Sequence, residues 1–91
     1  MAIVRAHLFI SGRVQGVFYR ACTRDESHKR KLTGWVKNLY DGRVEAVFEG
    51  EEEAVQSMIS WCHRGPAHAA VTAVAVEIGE SRNEDCDFDI R

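Results

Sequence analysis

Ninety-one residues, 45% of them hydrophobic, suffice for one small domain around one core and leave no room for a second. The formal net charge of −2 argues against a general nucleic-acid binder, which presents a basic surface to phosphates. Cys22, Cys62 and Cys86 are odd in number without Cys-x-x-Cys spacing, and the four histidines are scattered, so neither a disulfide framework nor a zinc site is expected. Arg5 and His7 interrupt the N-terminal apolar run, which speaks against a signal peptide or membrane span and for a cytoplasmic chain.

From Ile3 to Ser11, Val4, Ala6, Leu8 and Ile10 alternate with Ile3, Arg5, His7 and Phe9, the period of a strand with a buried face. Gly12 and Gly16 then bound a turn whose N–H groups can converge on an anion. A helix beginning near Tyr19 would aim its unpaired N–H groups at the same point, and Arg20 could close over the anion with a planar cationic fork. By itself a Gly-x-x-x-Gly turn is a weak signal. It has neither the Lys-Ser/Thr of the nucleotide P-loop nor the third glycine of the dinucleotide fingerprint.

The first helix is expected from Tyr19 to about Lys31, with Ala21, Cys22 and Leu32 as its clear apolar members and hence a thin contact to the sheet. Gly34 to Leu39 reads as a strand, Tyr40-Asp41-Gly42-Arg43 as a hairpin turn and Val44 to Glu49 as the returning strand. Glu51-Glu52-Glu53 mark a helix N-terminus. Ala54, Val55, Met58, Ile59, Trp61 and Cys62 form one broad apolar face, and Gly65-Pro66 ends the run. Ala69 to Ile78 is a strand whose apolar phase shifts between Val71 and Val74, the mark of a bulge. A polar loop from Ser81 to Asp85 precedes a short strand within Asp87 to Arg91. The order β-α-β-β-α-β plus a short β predicts an α+β, ferredoxin-like sandwich, an antiparallel sheet with two helices on one face.

Strand parity puts Asn38 on the face of Val36, so Asn38 sits on the helix side if Val36 does, near the start of the first helix and Arg20. Its spacing alone fits turn initiation better than a site. The segments Gly12-Arg13-Val14-Gln15-Gly16-Val17-Phe18-Tyr19-Arg20, Gly34-Trp35-Val36-Lys37-Asn38 and Asp41-Gly42-Arg43-Val44-Glu45 closely resemble the two signatures of the acylphosphatase family. Gly50, Gly65-Pro66 with Ala69 and Val71, and the Phe88-x-Ile90-Arg91 ending extend the resemblance along the whole chain. Asp25 and Arg30 depart from the small or apolar residues usual there, and Lys31 stands where glycine is common.

The resemblance implies a single domain over residues 1–91 that hydrolyses the carboxyl-phosphate bond of acyl phosphates without metal or cofactor. Arg20 would bind the phosphate, together with main-chain groups of Gln15, Gly16, Val17, Phe18 and Tyr19, and Asn38 would position the attacking water. Members of the family can use the terminal carboxylate to steady the arginine, and the ending here lacks the further residue often found after the Phe-x-Ile-Arg pattern, which alters that support. Phosphoryl transfer asks a protein mainly for charge stabilisation and an aligned nucleophile, and a carboxylate leaving group, with a pKa of about 4, needs no general acid. The expected partners are a small acyl phosphate and inorganic phosphate, for a monomer that engages neither nucleic acid nor membrane. The alternative is a non-catalytic ferredoxin-like module binding RNA or another anion; Arg43 to Gly50, with two acids and one aromatic, lacks the aromatic platform that RNA requires. A third reading, a domain serving a larger protein as in hydrogenase-maturation factors, is less favoured than a free-standing enzyme.

Overall fold

The computed structural model describes residues 2–91. Its elements are β1 (Ile3–Arg13), α1 (Tyr19–Lys29), β2 (Thr33–Asn38), β3 (Val44–Glu51), α2 (Glu52–Arg64), β4 (Ala70–Glu80) and β5 (Phe88–Ile90). The sheet order is β4-β1-β3-β2-β5. β1 pairs antiparallel with β3 and β4, and β2 with β3, whereas β5 runs parallel to β2. The sheet is therefore mixed rather than antiparallel throughout. The segment after β4 carries the chain from one edge of the sheet to the other, so β5 enters beside β2 in the same direction, which side-chain alternation cannot reveal.

The even residues of β1, Ala6, Leu8 and Ile10, join Val36 of β2, Val44, Ala46 and Phe48 of β3, and Val55, Met58 and Cys62 of α2 in one buried cluster. Phe88 closes it by stacking on Phe48 with ring centroids 5.5 Å apart. Glu52 and Glu53 occupy the first turn of α2, where the helix dipole favours them.

α1 differs from its sequence reading. Its buried residues are Tyr19, Thr23 and Ser27, not Ala21, which is only half-buried. A one-turn spacing places the three on one stripe, and their hydroxyls are satisfied internally. Tyr19 donates to the Cys62 carbonyl at 2.8 Å, Thr23 to the Tyr19 carbonyl at 2.7 Å, and Ser27 faces the Met58 sulfur at 3.8 Å. The helix stops at Lys29 because Lys31 adopts φ +57°. The Leu32 N–H then reaches back to Ser27 O and the Lys31 N–H to His28 O, a Schellman closure that glycine makes without strain. The departures at Asp25 and Arg30 leave the core intact: Asp25 is exposed beside Arg24, and Arg30 bridges Glu26 at 2.7 Å and Ser57 of α2 at 3.0 Å.

The bulge lies where the phase shift places it. Ser11 pairs with Ala73 and Gly12 with Val71, leaving Thr72 as the extra residue. Gly12, expected to bound the anion turn, instead lies inside β1 at φ +118°, and a Cβ there would collide with Ala70 O and sit 2.8 Å from Thr72 N. Its lack of a side chain serves the bulge.

On the sheet face away from the helices, the 5% exposed Glu49 ties the crossing segment down. Its carboxylate accepts from Ser81 Oγ at 3.0 Å, from the Arg82 and Asn83 N–H groups at 2.9 Å each, and from Arg5 at 3.3 Å. Burial alone would raise its pKa, but these donors together hold it below the ordinary 4.5. A depressed folded-state pKa adds stability above the unfolded value and loses it as pH falls through the folded one. Denaturant titrations should therefore show parent stability falling as pH drops below about 4.5. Glu49→Gln should lose roughly 1–3 kcal/mol at pH 7 and lack that part of the acid dependence.

Candidate functional site

The segment between β1 and α1 is anchored from below by Val14 and Val17, which are 1% and 6% exposed. Between residues 14 and 20, φ is positive only at Gly16 (+74°) and Phe18 (+63°). Two positive-φ residues one apart, Gly16 and Phe18, are the kind of backbone that can turn successive N–H groups toward one concavity. A Cβ on Gly16 would meet nothing within 4 Å, so glycine is required there by conformation rather than by space. Phe18 adopts the left-handed form at a cost of about 1–2 kcal/mol.

The N-terminus of α1 is electrostatically bare. Phe18, the N-cap, offers no side-chain hydrogen bond, and the first turn carries no acid, in contrast to α2. Its orphan N–H groups and dipole are left to an external anion. Arg20 stands in this turn, and its Nη1 donates to the main-chain oxygen of Arg91 at 3.4 Å.

An open cleft of about 320 Å³ collects Val14, Gly16, Phe18, Tyr19, Arg20, Ala21, Asn38 and Ile90. Among the described residues that line it, Arg20 carries the one charged side chain, and none has a carboxylate or imidazole side chain. Asn38 ends β2 opposite Val44, two residues beyond the fully buried Val36. Its Oδ1 is buried without a hydrogen-bond partner, and an unmet acceptor of this kind costs about 1–3 kcal/mol. Its position fits an acceptor waiting for a donor in the cleft.

The side chains of Gln15 and Val17 turn away from the cleft. The Val17 side chain is in the core, and Gln15 Nε2 donates to the carbonyls of Leu39 and Arg43 at 2.8 and 2.9 Å. These oxygens close the β2–β3 hairpin, where Leu39 N–H meets Arg43 O at 2.8 Å and Gly42 takes φ +94°. The Gln15 amide thus fixes the hairpin bearing Asn38 against the loop bearing Gly16. Sequence reasoning assigned Gln15 through its N–H alone, and it missed Val14, Ala21 and Ile90 as cleft residues. Ile90 arrives through the parallel pairing of β5, for which the sequence carries no local signal.

Tyr19 is no acid for this cleft, because burial first and Cys62 second push its phenol well above the usual range. Burial likewise pushes the Cys62 thiol up to about 12, which leaves it unreactive. A larger cleft of about 480 Å³, lined by Arg5, His7, Trp35 and Glu77 among others, occupies the opposite sheet face. Its basic side chains already have acidic neighbours, Arg5 with Glu49 at 3.3 Å, His7 with Glu45 at 2.6 Å and Arg82 with Glu84 at 3.7 Å. The smaller cleft, with the uncapped start of α1, Arg20 and an orphan acceptor, has the chemistry of a site.

The acylphosphatase family model matches residues 6–90. An acylphosphatase of Roseiflexus sp. (strain RS-1) is 56% identical over 90 residues, covering 99% of this chain and 97% of its own. One from Haloquadratum walsbyi is 59% identical over 87 residues, covering 96% and 92% respectively. The crystal structure of acylphosphatase from Bacillus subtilis superimposes with a TM-score of 0.93 at 40% identity, covering 97% of this chain and 98% of that one. Matched by the family model on this fold, the chain belongs to the acylphosphatase family.

Proposed function

We propose that the acylphosphatase activity of this chain runs through Arg20 and Asn38, by direct attack of a positioned water on the phosphorus of an acyl phosphate. The products are a carboxylate and inorganic phosphate. The observation that carries the assignment is the unpartnered Asn38 Oδ1 in the same cleft as Arg20.

The N–H groups from Gln15 to Arg20 and the Arg20 guanidinium receive the phosphoryl oxygens. These donors are in place before charge redistributes, so no reorganisation is needed in the transition state. Asn38 Oδ1 accepts a hydrogen bond from water and turns its lone pair toward phosphorus; an amide oxygen orients the water without deprotonating it. With no carboxylate or imidazole side chain among the described residues of the wall, the proton passes to a phosphoryl oxygen. The acyl carboxylate, with a conjugate-acid pKa of about 4, leaves as an anion unaided.

All three cysteines are free, with Cys86 on the surface, which supports a reducing, cytoplasmic setting. No helix among the described residues is long and apolar enough to cross a membrane. We take a monomer acting on a small molecule, without nucleic acid, as the working form.

Hydrolysis of benzoyl phosphate in ¹⁸O-water tests the direction of attack. Label should enter phosphate, and label in benzoate would place attack on the carbonyl carbon instead. Asn38→Ala should lower kcat on the order of 10²- to 10³-fold with inhibition by inorganic phosphate largely retained, whereas Arg20→Ala should lose both turnover and that inhibition. Parent-like kinetics in both folded variants would refute the assignment. Gln15→Leu should lower kcat roughly ten- to a hundredfold through misplacement of the hairpin, seen as a kcat effect with little change in phosphate inhibition.

A further inference from the structure

A long arginine side chain loses rotamer freedom when it is held ready for an anion, so its placement needs a partner. For Arg20 that partner is the main-chain oxygen of Arg91, 3.4 Å from Nη1. Whatever orients this oxygen therefore takes part in placing the guanidinium.

The β5 ladder supplies half of the support. It ends with Ile90 opposite Val36, and the Arg91 N–H adds one bond to the Val36 carbonyl at 2.8 Å. The oxygen lies beyond that bond, across one further backbone torsion, so the ladder leaves its direction open. The Arg91 side chain closes this freedom from the sheet face opposite the cleft. Its guanidinium carbon lies 4.9 Å from the centroid of the Trp35 ring, and Nη2 is 3.7 Å from Asp85 Oδ1. A planar cation stacks well on an indole face.

Asp85 is itself held in place. Its side chain is 11% exposed, and its second oxygen faces Arg5 at 3.5 Å. Arg5 in turn meets the buried Glu49 at 3.3 Å. A run of contacts thus passes from Glu49 through Arg5, Asp85 and Arg91 to Arg20, and it crosses from one sheet face to the other at Arg91. An exposed ion pair alone is worth little. Here the ion pair and the ring contact act together on one side chain and so on one carbonyl.

We propose that Asp85 and Trp35 are positioning residues for the reaction: by gripping the Arg91 side chain on the far sheet face they orient its main-chain oxygen, and through it Arg20. This rests on the Arg20 and Asn38 site proposed above.

The test has two readouts, the inhibition constant of inorganic phosphate against benzoyl phosphate hydrolysis and the heteronuclear ¹H–¹⁵N NOE of the Arg20 Nε–H, which reports the mobility of that side chain. Asp85→Ala, Trp35→Leu and Arg91→Ala should each raise the inhibition constant about three- to tenfold, the scale of one exposed ion pair or one cation–π contact, and lower the NOE. Arg91→Lys keeps a cation for both Asp85 and the Trp35 ring and should stay within about twofold of the parent. Glu84→Ala, in the same segment but paired with Arg5 and Arg82, should also stay within about twofold. Parent-like values of both readouts in Asp85→Ala or in Trp35→Leu overturn the role given to that residue, and in Arg91→Ala they overturn the whole proposal. Arg91→Lys as impaired as Arg91→Ala, or Glu84→Ala as impaired as Asp85→Ala, would show a general loosening of the segment and overturn it as well. A parent that phosphate fails to inhibit would instead overturn the Arg20 site itself, and this positioning with it.

Discussion

Two left-handed residues, Gly16 and Phe18, decide the geometry on which everything else depends. Positive φ at two positions one apart lets a strand turn into a helix within a few residues, a backbone of the kind that can gather N–H groups around an anion. At Phe18 this conformation costs about 1–2 kcal/mol. The flanking residues offset it: burying a valine side chain is worth roughly 1.5–3 kcal/mol, and both Val14 and Val17 are buried. Tyr19 adds a buried hydrogen bond to Cys62 O, which fixes the start of α1 to α2. The cradle is a strained backbone held by the core beneath it.

Charge is arranged with the same economy. The α1 N-terminus has neither a side-chain cap nor an acid, whereas α2 carries Glu52 and Glu53 at the equivalent place. A helix start without acids suits an anion better than one that already carries two. Asn38 supplies the complementary defect, an acceptor without a donor. These two unmet needs come from segments about twenty residues apart, and Gln15 joins them through paired hydrogen bonds across the hairpin closure. In the mechanism we propose, phosphate recognition and water orientation are both set by this junction between β1, α1 and β2.

Elements with a clear period were readable from sequence, and those whose order comes from tertiary partners were not. The apolar face of α2, the alternation of β1 and the bulge near Val71 to Val74 all appear in the structure. The inner face of α1 escaped notice because Tyr19, Thr23 and Ser27 are buried through hydroxyl contacts, which hydropathy does not register. The parallel entry of β5 was hidden because a three-residue strand carries no sign of its partner's direction, and Ile90 was hidden with it. Gly12 was legible as a positive-φ residue, but its reason lies in β4, not in the anion loop. For Asn38, parity gave the face correctly but could not show that its oxygen would lack a partner.

The central claim is that main-chain N–H groups at the β1–α1 junction, together with Arg20, form the phosphate site. Amide chemical shifts followed by ¹⁵N NMR during titration with inorganic phosphate test it most directly. Saturable shifts concentrated on Gly16 to Arg20, with a concurrent change in the Arg20 side-chain Nε–H, are the predicted result. Saturable shifts centred instead on Arg5, His7 and Arg82 at the opposite sheet face, with residues 16–20 unmoved, would contradict the account.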